Sequence, residues 1–105
     1  MRVTISHDKT QQQVKDAVDH GMDQVFTGLG GGAVDLTDRH KEWHENTMIF
    51  SMTARLGFIR TPIKGSVIVG EKDVTVEVDL GLLGKLVSDE TVRSGIESRV
   101  RRLLT

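Results

Sequence analysis

Residues 74–80 read Val-Thr-Val-Glu-Val-Asp-Leu. In an extended chain successive side chains point to opposite faces. Val74, Val76, Val78 and Leu80 therefore share one face, and Thr75, Glu77 and Asp79 share the other. A strand with one dry and one wet face belongs in an antiparallel sheet covered on one side only. A parallel sheet, buried on both faces, would call for a near-continuous apolar run. This stretch restricts the chain to one-sided sheet architectures, and other segments agree with it. Val3 and Ile5 alternate within Arg2–Ser6, Met48, Phe50, Met52, Ala54 and Leu56 share one parity, and Val67 and Val69 repeat the pattern before a turn-forming Gly-Glu-Lys-Asp at 70–73. The segment from Ala33 to Trp43 is polar but holds Val34, Leu36 and Trp43 at strand-like positions.

Two segments change to helical spacing. Val14, Ala17, Val18, Met22, Val25, Phe26 and Leu29 line one side of a helix expected from about Lys9 to Leu29. Asp8 is its expected N-cap, with Gln11 at the capping-box spacing, and Gly30, Gly31 and Gly32 end it. A last helix follows Ser88 or Asp89 and buries Val92, Ile96, Val100, Leu103 and Leu104. Arg99, Arg101 and Arg102 sit near its C-terminus, where positive charge suits the helix dipole. The order β-α-β-β-β-β-α predicts a single α+β domain over 1–105: an antiparallel sheet of four to five strands with two helices on one face. The pairing order of the strands is not readable.

Composition removes several functions. The 105 residues include no cysteine, which excludes disulfides, thiolate catalysis and cysteine-based zinc sites. A net charge of −1 gives no global field for nucleic acid or an anionic membrane, and three Phe with one Trp are too few for a base-stacking platform. No apolar leader core and no run of about 18 apolar residues occurs, so the expected setting is cytoplasmic, with no membrane span and no nucleic-acid partner.

The chemically densest stretch is Asp-Arg-His-Lys-Glu-Trp-His-Glu-Asn, residues 38–46. If it is a regular strand, Asp38, His40, Glu42 and His44 point one way, and His40 with His44 become candidate metal ligands, as in a metal-dependent enzyme. The preferred reading is a solvated strand face with Trp43 turned into the core, and no metal or other cofactor. Gly28 to Ala33 superficially resembles a nucleotide-binding glycine loop. Its glycines close a helix rather than open one, so no helix N-terminus meets a phosphate. No serine lies in a nucleophile elbow and no acid–base pair is evident, which leaves no catalytic residue to name. Arg55, Arg60 and Lys64 flank a turn, and Arg93 with Arg99, Arg101 and Arg102 stud the last helix; interspersed acids make these solvated surfaces rather than nucleic-acid contacts.

The apolar surplus remains. Leu82, Leu83, Leu86 and Val87 crowd residues 81–87, and Phe58 and Ile59 stand at a hairpin end. These residues either close the core between the last strand and the last helix or form a patch that meets a partner. On the second reading Leu82, Leu83, Leu86 and Phe58 are the binding residues, and Leu83→Asp should weaken association and spare the fold. An apolar-ligand or acyl-chain binder is the alternative, with a cavity expected between Met22, Phe26, Met52 and Ile96.

Several stretches resemble one family: Lys-Glu-Trp-His-Glu-Asn-Thr-Met-Ile-Phe with Trp43 ahead of Met48 and Phe50, the glycine-bearing strand 63–69, Val74 to Leu86 with its leucine corner, and the helix Val92 to Leu104. Together these are similar to the polyhydroxyalkanoic acid system family. Its members are small bacterial proteins mostly encoded beside genes for storage-polyester synthesis and breakdown, and some are proposed to associate with polyester granules. The resemblance runs from about Val3 to Leu104. By position it carries over Trp43 and the corner Leu80, Gly81, Leu82 and Leu83, whereas the glycine loop and the histidine-rich strand depart from the family pattern. It brings no catalytic residues. It implies a non-enzymatic accessory protein of polyhydroxyalkanoate granules or their metabolism, whose partners are the granule surface, granule proteins or a second copy of itself.

Overall fold

The computed structural model describes residues 1–26, 34–85 and 87–105, apart from the side chains of Asp23 and Phe26. The elements are β1 (Arg2–Ser6), α1 (Gln11–Phe26), β2 (Asp35–His44), β3 (Thr47–Leu56), β4 (Ile59–Val69), β5 (Asp73–Asp79), a 3-10 turn η1 (Gly81–Lys85) and α2 (Asp89–Leu103). The five strands form one antiparallel sheet in the order β1-β5-β4-β3-β2. Consecutive strands β2 to β5 therefore pair as a meander, and β1 joins at the far edge beside β5.

The alternating segments bury the parity expected of them. Val3, Ile5, Met48, Phe50, Met52, Ala54, Val67, Val69, Val74, Val76, Val78 and Leu80 are all buried, and they form one cluster with Val14, Val18, Met22 and Val25 of α1 and Val92, Ile96 and Val100 of α2. Gly65 sits within this face because nothing larger fits. A Cβ there would lie 2.2 Å from the Glu77 carbonyl oxygen and 2.5 Å from Cζ of Phe50, so the aromatic ring occupies the space of the missing side chain.

Helix starts follow local hydrogen bonding, and one expectation needs correction. Asp8 does not cap α1. Thr10 does: its Oγ1 accepts from the Gln13 amide at 3.1 Å, and the Thr10 amide donates to Oε1 of Gln13 at 3.0 Å. The reciprocal pair is the capping-box geometry, displaced by two residues from the expected one. Gln11 instead donates to the Val69 carbonyl at 3.1 Å. His7 fixes the preceding loop. Its Nδ1 accepts from the Lys9 amide at 3.1 Å, which leaves Nε2 to donate to the Gly70 carbonyl at 3.1 Å. Ser88 caps α2 as expected, accepting from the Thr91 amide. The glycine loop at 30–32 and the expected end of α1 at Leu29 lie outside the described residues.

Candidate functional site

Among the described residues the exposed large apolar side chains are Phe58, Ile59 and Leu82 at the far end of the β3–β4 hairpin, and Ile49 and Ile68 on the outward face of the sheet. Leu56 pairs with Ile59, so the loop is the two residues Gly57 and Phe58. Gly57 has φ 61°, the left-handed value that the first position of a type II′ turn requires and that glycine adopts without strain. Phe58, at the apex, is fully exposed, and Ile59 is 38% exposed. β5 pairs with β4 only from Lys64 to Val69, so the first residues of β4 have no strand on that side. There η1 takes the place of a strand. The chain turns at Gly81, whose φ is 56°. A Cβ at Gly81 would lie 2.4 Å from Oγ1 of Thr61. The same buried hydroxyl accepts from the Leu82 amide at 3.0 Å, and the Gly81 amide donates to the Asp79 carboxylate at 3.0 Å.

That anchoring decides which leucine faces out. Side chains three apart eclipse in a 3-10 turn. Leu80 and Leu83 point together into the core, while Leu82 and Lys85 point together to solvent. Leu83 is 5% exposed and Leu82 is 53% exposed. The expectation that Leu83 belongs to an exposed cluster is therefore corrected: it closes the core against β4, and Leu82, Phe58 and Ile59 make the exposed apolar end. Leu86 lies outside the described residues.

The histidine-rich strand is β2, at the sheet edge. Its register against β3 shifts between Thr37 and His40, and Asp38 has φ 53°. The bulge removes Asp38 from the expected row. His40, Glu42 and His44 keep one outward face, opposite Ser51, Ile49 and Thr47. His44 Nε2 lies 3.6 Å from the Glu42 carboxylate. Among the described residues no three His, Asp or Glu side chains group as a metal site. Charges and a bulge on an edge strand discourage pairing with another sheet.

Trp43 is partly buried and packs against the edge of the core, between β2 and the side of α1. Its Nε1 donates to Oδ1 of Asp19 at 2.9 Å, and the Lys15 ammonium lies 5.3 Å from the ring centroid. Lys41 also reaches Asp19, at 3.1 Å. The indole hydrogen bond, then Lys41, holds the Asp19 carboxyl below the usual carboxylate range. Beside this latch lies a cavity of about 110 Å³, floored by Met22, Met48, Phe50 and Met52 and rimmed by Asp19 and Lys41. The expected cavity shares Met22 and Met52 with it. Ile96 is instead fully buried on α2, and the Phe26 side chain is outside the description.

A family model described as a polyhydroxyalkanoic acid system protein matches residues 1–104. The chain belongs to the polyhydroxyalkanoic acid system protein family. Comparison with curated proteins and with solved structures finds no match. The residues that carried the resemblance are, in this family member, two structural joints. Trp43 ties the edge strand to α1, and Leu80 to Leu83 make the turn that leaves the last strand. Sequence reasoning treated the leucines as one group. The signal that separates them is the three-residue repeat Leu80–Leu83 against Leu82–Lys85, which becomes readable only once the segment is known to be a 3-10 turn.

Leu83→Asp places a charge in the core and should destabilise the fold by several kcal/mol, about 4 or more. Leu82→Asp should stay within about 0.5 kcal/mol of the parent. Circular-dichroism melts of the two variants check this assignment, and equal melting temperatures would reverse it.

Proposed function

We propose that this protein is a non-enzymatic accessory protein that docks on polyhydroxyalkanoate granules through the exposed end formed by Phe58, Ile59 and Leu82. The observation that carries the reading is Phe58. An aromatic side chain held fully exposed at the apex of a two-residue turn contributes nothing to the monomer's core, yet its ring is a large apolar surface available to a second phase. Ile59 and Leu82 broaden the contact, and membership of the polyhydroxyalkanoic acid system family supplies the phase. Full burial of one such side chain is worth about 1.5–3 kcal/mol, so a small number of them gives measurable attachment before the entropy of docking is subtracted. The charged edge strand β2 would stay in water. No helix among the described residues is long and apolar enough to cross a membrane, which fits attachment to a surface.

The test is co-sedimentation with native granules. Phe58→Ser and Leu82→Ser should each lower the bound fraction about tenfold or more, with melting temperatures unchanged, because neither side chain is part of the core. Undiminished binding by the double variant would contradict docking through this end.

The methionine-floored cavity favours a second reading, a binder of small apolar chains. Methionine adapts its shape to what it contacts, and about 110 Å³ is below the roughly 150 Å³ of an engineered cavity that binds benzene. With methyl-labelled methionine, adding a short fatty acid should shift the Met22, Met48 and Met52 signals saturably and leave Met1, which does not line the cavity, in place. Unmoved core methyl signals would remove this reading.

A further inference from the structure

The docking end carries a charge pattern that its apolar residues do not explain. Arg55 and Arg60 stand directly opposite one another in the β3–β4 ladder, one pair behind Leu56 and Ile59. Like charges directly opposite on one sheet face destabilise the pairing. Both side chains are exposed, and among the described residues neither makes an ion pair or a side-chain hydrogen bond. Asp35 faces Arg55 from β2 without closing a salt bridge, and Arg60 lies beyond the reach of β5. On η1 the pattern recurs: Lys85 eclipses the exposed Leu82. Asp79, the acid next to this turn, is engaged by the Gly81 amide. Each exposed apolar group at this end thus has a cation beside or behind it, on a chain whose net charge is −1.

A purely apolar surface offers a guanidinium group nothing, and a second copy docking through the same end would set arginines against arginines. An apolar layer faced with phosphates meets both needs. Phe58 and Leu82 enter the acyl region, the arginine stems lie along it, and the charged heads stay at the level of the phosphates. We infer that the end formed by Phe58, Leu82, Arg55, Arg60 and Lys85 binds an anionic phospholipid layer. This rests on the docking reading above and names the chemistry of the surface it meets.

The experiment is sedimentation with vesicles of phosphatidylcholine alone and of equal parts phosphatidylcholine and phosphatidylglycerol, with native granules alongside. The parent protein should bind the anionic vesicles and not the neutral ones, and binding should weaken as salt is raised. Arg55→Gln with Arg60→Gln should reduce that binding about twenty-five-fold, at roughly fivefold per charge. Arg55→Lys with Arg60→Lys should retain it. All these side chains are exposed, and a circular-dichroism melt verifies that each variant folds. Equal binding to both vesicles, binding to neither, or an unaffected glutamine variant overturns the inference. Self-association abolished by Phe58→Ser, without vesicle binding, would assign the end to a second copy and also overturn it. The granule arm separates the two claims. If Phe58→Ser keeps binding granules, docking itself fails. If Phe58→Ser loses them while the glutamine variant keeps them and vesicles show no charge preference, docking stands and the anionic layer does not.

Discussion

The structure depends on burying one face of a sheet and leaving the other wet. β1, β3, β4 and β5 each contribute residues of a single parity to that face, β2 changes parity at its bulge between Leu36 and Trp43, and two helices must cover the face. The lengths do not match. At about 1.5 Å per residue α1 and α2 reach about 24 and 22 Å, whereas β4, at about 3.3 Å per residue, runs about 36 Å. Over their described lengths the helices do not span the whole of β3 and β4. Leu56 and Ile59, inward by parity, are left only partly covered at the hairpin end, and Leu83 from η1 fills the nearest part of the gap. The exposed apolar end is thus a consequence of the fold's proportions, and Phe58 and Leu82 extend it beyond what a loose end requires.

Much of this was legible beforehand, for a definite reason. Where a segment has one wet face, its period announces its structure, and β1, β3, β5 and α2 were all readable from alternation or helical spacing. The family assignment rested on the same segments and holds over residues 1–104. What was not legible depended on partners distant in sequence. The strand order needed the pairing of β1 with β5. The N-cap went to Thr10 because Gln13, not Gln11, was free to answer it; Gln11 was taken by Val69. The alignment of Asp38 with His40 failed at a bulge that no local pattern marks. Trp43 settled at the boundary because Asp19, on the polar side of α1, offered its indole a hydrogen bond.

The candidate site followed the same division. Composition located the apolar surplus at Phe58 and residues 82–86, but could not say that Leu82 and Leu83 face opposite ways. That distinction comes from Thr61, whose buried hydroxyl holds the Leu82 amide and so sets the rotation of η1. A net charge of −1 likewise concealed a local excess of cations. Arg55 and Arg60 look like ordinary turn flanks in sequence and become a facing pair only through the hairpin register. Periodicity describes the chain's fold class well; a local arrangement of charged and apolar side chains appears only when the register is known.

The central claim is that one end of the molecule, and no other surface, meets the second phase. Amide hydrogen exchange of the protein bound to native granules tests it most directly. Protection gained at Gly57 to Arg60 and at Gly81 to Lys85, with α2 and the outward-facing strand β2 exchanging as in free protein, is the expected result. Protection spread evenly over the chain, or confined to β2 or α2, would contradict the account.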